Sequence, residues 1–233
     1  MHIGLIGGIG VAATVVYYQR LAAAVSAKGQ PLELTIVQAD APTLVVNNRE
    51  DNRAAQAEIY ARLIDRLKAA GAECAAITSL GGHFCYDETA AISSLPLVSG
   101  VTPLDANFAA QGLGRVGLLG TRVVMATKLY GQLRQTEAIA LEDELDMLGQ
   151  RYIDMALSGV AAEADRRYFL DAGQRLADDH GADAVVLAGT DLNLAFDGQT
   201  TDYRVIDALE VHVDLLAQLA CDEVALSELE TSG

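Results

Sequence analysis

Short apolar runs of strand length alternate along this chain with longer stretches of helical periodicity. Ile3 to Ile6 is the first run, and Val11 to Ala27 follows with Ala, Leu and Val at most positions of a helix. Leu34 to Val37 reads as a second strand. Over 51–70, Ala54, Ala57, Ile59, Leu63, Ile64 and Leu67 form one helical stripe, ended by Gly71. Cys74 to Ile77 is a third strand and Leu95 to Val98 a short fourth. The pattern then restarts. Val116 to Leu119 ends in Gly120-Thr121, much as Leu5-Ile6 ends in Gly7-Gly8. A helix is expected over 123–134, a strand at Ala138 to Leu141, helices over 143–158 and 161–180, and an apolar strand at Ala184 to Leu187. Val205-Ile206 precedes a last helix over 208–220, and the acidic tail after Asp222 reads as frayed.

Such alternation marks stacked β-α-β units with parallel sheets. It predicts an α/β fold of two similar half-domains, each a parallel sheet flanked by helices, facing across a cleft. The halves are expected at 1–100 and 101–209, with a 210–225 helix packing back on the first. Parallel sheets bind ligands beyond the carboxyl ends of their strands. The candidate loops are therefore 7–14, 38–49, 78–86, 120–127 and 188–193.

Composition narrows the function classes. With 51% hydrophobic residues among 233, the chain can bury a sizeable core. No apolar run reaches the roughly 18–20 residues that span a bilayer, so no membrane partner is expected. The start, Met1-His2-Ile3-Gly4, carries no basic region before its apolar run, which favours the cytoplasm. A formal charge of −16 repels phosphate backbones and argues against nucleic-acid binding. It leaves room for a small anion, because helix N-termini and local arginines set the field inside a cleft. Cys74, Cys85 and Cys221 show no metal-ligand spacing, and their odd count argues against a disulfide framework. No metal and no cofactor is expected.

Three loops could carry chemistry. Gly7-Gly8-Ile9-Gly10 opens a helix at Val11 and suits a small carboxylate, with Thr14 one turn on. Its spacing departs from the dinucleotide fingerprint. Thr78-Ser79-Leu80-Gly81-Gly82-His83 offers a hydroxyl, two glycines and a titratable ring; the bland alternative is a capping serine and a surface histidine. A Ser79–His83 pair also suggests a hydrolase, although no nucleophile elbow surrounds Ser79. Gly189-Thr190-Asp191-Leu192-Asn193 clusters a hydroxyl, a carboxylate and an amide, where the alternative is a helix cap. Arg49 could clamp a ligand carboxylate or simply be a solvated helix charge, and His212 could be a surface residue. Arg122 and Lys128 are the nearest cations in the second half.

Several segments together resemble the aspartate/glutamate racemase superfamily, whose members use no pyridoxal phosphate. Gly4-Leu5-Ile6-Gly7-Gly8-Ile9-Gly10 with Ala13-Thr14 is similar to its opening. Val116-Gly117-Leu118-Leu119-Gly120-Thr121 with Met125 and Tyr130 is similar to its mid-chain segment. Ala76 to Glu88 and Val186 to Leu194 have the frames of its two catalytic loops, and Asp207 with His212 matches its closing pair. The resemblance implies a small amino acid or carboxylic acid as ligand and two thiols that exchange a Cα proton from opposite faces. Ser79 stands at the first thiol position and Gly189 at the second. Cys85, six residues beyond Ser79, would have to reach back.

The expected function is therefore cofactor-independent acid–base chemistry without the cysteine pair, as an isomerase, racemase or related lyase. Ser79, His83, Thr190 and Asp191 are the catalytic candidates. Gly8, Thr14, Arg49, Gly81, Gly82, Thr121, Gly189, Asn193 and His212 are the binding candidates. The alternatives are a catalytically silent carboxylate-binding protein and, behind it, a Ser–His hydrolase. A homodimer is the default expectation for the fold.

Overall fold

The computed structural model describes residues 1–229. In the first half, β1 (His2–Gly7), α1 (Val11–Ala27), β2 (Glu33–Gln38), α2 (Ala41–Arg49), α3 (Arg53–Ala69), β3 (Cys74–Ile77), α4 (Tyr86–Ile92), β4 (Leu97–Val98) and α5 (Pro103–Ala110) follow in order. The second half contains β5 (Arg115–Leu119), α6 (Arg122–Ala126), β6 (Glu137–Ile139), α7 (Leu145–Ser158), α8 (Glu163–Asp178), β7 (Ala184–Leu187), α9 (Asn193–Phe196) and β8 (Val205–Asp207). The helices α10 (Ala208–Ala220) and α11 (Leu226–Leu229) close the described chain.

Two four-stranded sheets form, ordered β2-β1-β3-β4 and β6-β5-β7-β8, and every described strand pair is parallel. The two orders are the same order. In each sheet the chain leaves its first strand to one side and returns on the other, so the switch points lie between β1 and β3 and between β5 and β7. A crevice opens at such a point, beyond the strand ends. The loops after β1, β3, β5 and β7 are thereby brought to the site.

Alternation along β1 sends its side chains to two cores. Ile3 and Leu5 pack with Tyr17, Leu21 and Val25 of α1 and with Leu209, Val213 and Leu216 of α10. Ile6 faces the larger core, which runs continuously from α3 through Leu104 and Phe108 of α5 into β5, β7 and α8. Because α10 follows the second sheet yet covers the first, it ties the halves together. Arg20 of α1 adds a polar tie, bonding Asp207 at 2.7 Å. Among the described residues no helix is long and apolar enough to cross a membrane.

Local chemistry explains where the observed elements depart from the expected ones. The segment 38–49 is not a loop: Asp40 accepts from Thr43 N at 3.0 Å and Pro42 lies in the first turn, so α2 starts there. The helix expected over 123–134 stops at Ala126, because Lys128, Leu129, Tyr130 and Gly131 all take positive φ. The tail expected to fray after Asp222 instead forms α11, whose Leu226 and Leu229 pack on the α1–α10 core. Residues 230–233 of that tail lie outside the described residues.

Candidate functional site at the junction of the two sheets

Ser79 and Gly189 occupy equivalent places. Each comes two residues after its strand, is extended (φ −134°, ψ 118° and φ −116°, ψ 116°), and opens a 3-10 turn, Leu80–Cys85 and Thr190–Leu192 respectively. The two turns meet. Thr190 Oγ1 donates to Thr78 O at 3.0 Å, across the junction. The Thr78 and Thr14 hydroxyls are 2.9 Å apart, so the β1 and β3 loops share one polar strand. Thr14, Thr78, Ser79, Thr121, Thr190, Asp191 and Asn193 are all buried.

Asp191 joins the halves most directly. It is fully buried, and Oδ1 accepts from the Ala13 N–H of α1 at 3.0 Å while Oδ2 accepts from the Tyr152 hydroxyl at 3.2 Å. The α1 N-cap position is Gly10, which has no side chain to satisfy the first turn. Asp191 supplies that acceptor from the other half, and a Cβ on Gly10 would fall 1.9 Å from its Oδ1. The loop expected to hold a ligand carboxylate thus holds a carboxylate of the chain itself. Burial raises the Asp191 pKa from 3.8 to about 6, against the opposing pull of the Ala13 and Tyr152 bonds. Tyr152, held protonated by burial, remains a donor.

The ring of Tyr152 also fills the space beside Gly189. A Cβ there would meet its Cε2 at 2.3 Å, so this chain has no room for a side chain at that position without moving the ring. On the other side, Ser79 Oγ accepts from Gly82 N at 3.3 Å, and Gly8 packs against the Ser79 side chain. Gly81 abuts Thr121, the cap of α6, whose methyl would sit 2.8 Å from a Gly81 Cβ.

His83 is placed differently from a proton-transfer group. Its Nδ1 donates to Ser79 O at 2.8 Å and its Nε2 accepts from Gly100 N at 3.0 Å. Both nitrogens are engaged by backbone, and burial lowers the pKa to about 4, so the ring is neutral near pH 7. Neither nitrogen bonds Ser79 Oγ, so the Ser–His pair of a hydrolase is not formed. The surface alternative for His83 fails as well, since the ring is buried and stacks on Tyr86.

His212 lies fully buried, accepting from Tyr17 OH at 2.9 Å. Burial lowers its pKa to about 3. It packs behind Gly100 in the α1–α10 contact, not on the surface. Arg49 is 72% exposed and pairs with Glu50. Arg122 and Lys128 pair with Asp146 and Glu142 near the surface. None of these three cations bonds the buried cluster. Cys85 points to the Gly82 carbonyl and to Thr89, and burial pushes its thiol up to about 11. It does not reach back toward Ser79.

Sequence reasoning gave Tyr152 no role. A lone tyrosine in an amphipathic helix carries no signal of its own. The clue was indirect: a glycine at a position framed for a side chain implies that a neighbour occupies the space.

The sequence model of the Asp/Glu/hydantoin racemases matches residues 6–216. Solved structures of similar fold include a candidate Asp/Glu racemase from Yersinia pestis, with TM-score 0.76 and 23% identity over 95% of this chain and 100% of that one. An aspartate racemase homologue from Pyrococcus horikoshii superposes with TM-score 0.73 and 22% identity over 94% of this chain and 99% of that one. The aspartate racemase of Picrophilus torridus gives 0.75 and 18%, over 95% of each chain.

Proposed function

The chain belongs to the Asp/Glu/hydantoin racemase family, and from that premise we propose that it acts on a small amino acid or carboxylic acid where the two sheets meet, moving a single proton with Asp191 and no thiol pair. One observation carries the reading: a fully buried carboxylate from one half touches the other half's loop and has a pKa of about 6. A group of that acidity is divided between base and acid near neutrality, as general acid–base work requires.

The chemistry is one-sided. Ionised Asp191 takes the proton from a carbon acid and becomes the neutral acid. The ligand's electron pair moves onto its own carboxylate oxygens, and the same group returns a proton to the carbon. Ser79, at the equivalent position of the other loop, supplies a neutral hydroxyl, and a hydroxyl without an activating base is a donor rather than a second base. His83 positions the Ser79 backbone and moves no proton. Gly81, Gly82, Thr121, Thr190 and Asn193 lie around the same junction and are assigned to ligand binding, while Gly189 gives its space to Tyr152. Arg49 and His212 bond none of these residues, so the reading assigns them no part. Proton exchange, isomerisation or loss of a leaving group fits one base, whereas racemisation from two faces does not. A cytoplasmic location and a homodimer remain the expectations that go with this reading.

A second reading has its own observation. Asp191 already satisfies α1 and Tyr152, so the closed junction also suits a protein that binds a carboxylate without turnover. One experiment separates the two. The protein is incubated in deuterated water with a panel of amino and dicarboxylic acids and followed by NMR, alongside thermal-shift measurements with the same panel. Label in one compound, lost in Asp191→Asn, supports the enzyme. Thermal stabilisation with no label in any ligand overturns it in favour of the binder.

A further inference from the structure

The turn after α6 is unlike any other segment among the described residues. Lys128, Leu129, Tyr130 and Gly131 follow one another at φ 52°, 56°, 59° and 66°, a full left-handed turn of which three residues are not glycine. Left-handed backbone disfavours every residue with a Cβ, and runs of it do not persist without a compensating contact. The compensation is visible. Thr127 Oγ1 accepts from Tyr130 N at 3.0 Å, Gly131 N donates to Thr127 O at 2.9 Å, and Leu129 is fully buried. The turn thereby sends the Tyr130 side chain across the junction. Its hydroxyl donates to Leu80 O at 2.8 Å and approaches Gly81 O at 3.4 Å. Thr121, at the other end of the same short helix, abuts Gly81. Asn48 of α2 donates to Gly81 O at 2.9 Å.

The geometry points to Tyr130 as a positioning residue, a clasp from the second half that fixes the Leu80–Gly82 peptides of the first and through them the direction of the Ser79 hydroxyl. The path is short. Tyr130 holds the carbonyls of Leu80 and Gly81, the Gly81–Gly82 peptide plane aims the Gly82 N–H, and that N–H bonds both Ser79 O and Ser79 Oγ. The left-handed turn brings the phenol to that loop from the opposite sheet. It also biases the clasp toward release, since strain at 128–130 is relieved if the turn opens. The consequence for a ligand rests on the junction being the ligand site; the clasp itself does not.

Tyr130→Phe tests the clasp, because it deletes the hydroxyl and keeps the ring. Amide hydrogen exchange is followed at Gly81, Gly82 and His83 and, as the reference, at Leu5 and Leu118 in the two sheets. Loss of one hydrogen bond should speed exchange at the loop about three- to tenfold while the sheet amides hold their rates. Lys128→Gly, which removes strain without touching the phenol, should slow the loop amides several-fold against the same reference. For any compound that takes up deuterium, Tyr130→Phe should lower kcat with KM little changed, as expected of a misdirected hydroxyl. Loop rates in Tyr130→Phe that do not move, or that move in step with Leu5 and Leu118, overturn the proposal. So does Lys128→Gly acting in the same direction as Tyr130→Phe.

Discussion

Replacing Asp191 by Asn should make the protein more stable, and by an amount that depends on pH. The native environment lifts the Asp191 pKa from 3.8 to about 6. At about 1.4 kcal/mol per pH unit of displacement, holding the charge inside costs about 3 kcal/mol at pH 8. The group binds its proton more tightly folded than unfolded. Its contribution is therefore favourable below about 3.8, and it is lost as pH rises through about 6. At pH 5 the cost is roughly half that at pH 8 by the same linkage. Asn keeps the shape and the acceptor for Ala13 N–H, but its amide nitrogen donates where Oδ2 accepted, so the Tyr152 proton loses its acceptor at a pH-independent cost of about 1 kcal/mol. Urea melts of both proteins at pH 5, 6, 7 and 8 should show Asp191→Asn ahead by about 1–2 kcal/mol at pH 8, which is roughly 2–8 °C in Tm. The gap should shrink by about 1.4 kcal/mol at pH 5. The same substitution should abolish deuterium exchange. A protein that keeps so costly a charge while an isostere is available keeps it for function. If Asp191→Asn is less stable at pH 8, or its advantage is constant with pH, the carboxylate is a structural cap and not a poised base.

Three other outcomes follow from the same groups. Any exchange or turnover should rise tenfold per pH unit below about 6 and level off above it, since only ionised Asp191 is a base; a flat profile assigns the proton transfer elsewhere. His83 and His212, with pKa values of about 4 and about 3, are neutral when folded and protonate readily when unfolded, so their stabilisation is complete above about 6.5 and falls away toward pH 4. Each ring should cost about 3 kcal/mol by pH 4, outweighing the opposite trend of Asp191, and His212→Gln should flatten this acid limb in a Tm-against-pH series. Gly189→Ala should destabilise by about 1–3 kcal/mol through overpacking against Tyr152, and Tyr152→Leu in the same chain should recover part of it; strict additivity in a double-mutant cycle would show that the ring does not fill that space.

The alternation of apolar runs was enough to place seven of the eight described strands and most of the long helices, because a strand buried on both faces shows as an unbroken apolar run, whereas β8 spans only three residues and showed no such run. Short elements escaped for physical reasons. α2, α4 and α5 have few core-facing positions, so their starts rest on local signals such as Asp40 and Pro42 rather than on periodicity. The left-handed turn at 128–131 was invisible, since Lys, Leu and Tyr carry no preference for it and only tertiary contacts hold it there. The loops that meet were legible from their place after strands. The work of each side chain was not. Whether the His83 Nε2 faces a ligand or a backbone amide depends on Gly100, seventeen residues further along the chain, and no local pattern records that contact.

The internal repetition of the fold turns this into an argument about mechanism. The strand orders are identical, and Ser79 and Gly189 stand at the same step with nearly the same backbone angles. A symmetrical two-face reaction would need a titratable side chain at both steps. One step here offers a hydroxyl, and the other offers none and is blocked by Tyr152. Two residues past that second step, Asp191 turns inward and reaches the opposite half's helix. On the proposed reading the site has one face with an ionisable group and one face with a neutral donor. Symmetry of the scaffold combined with asymmetry of the side chains favours chemistry from a single face, and a reaction product formed with label on both faces of the carbon at equal rates would contradict it.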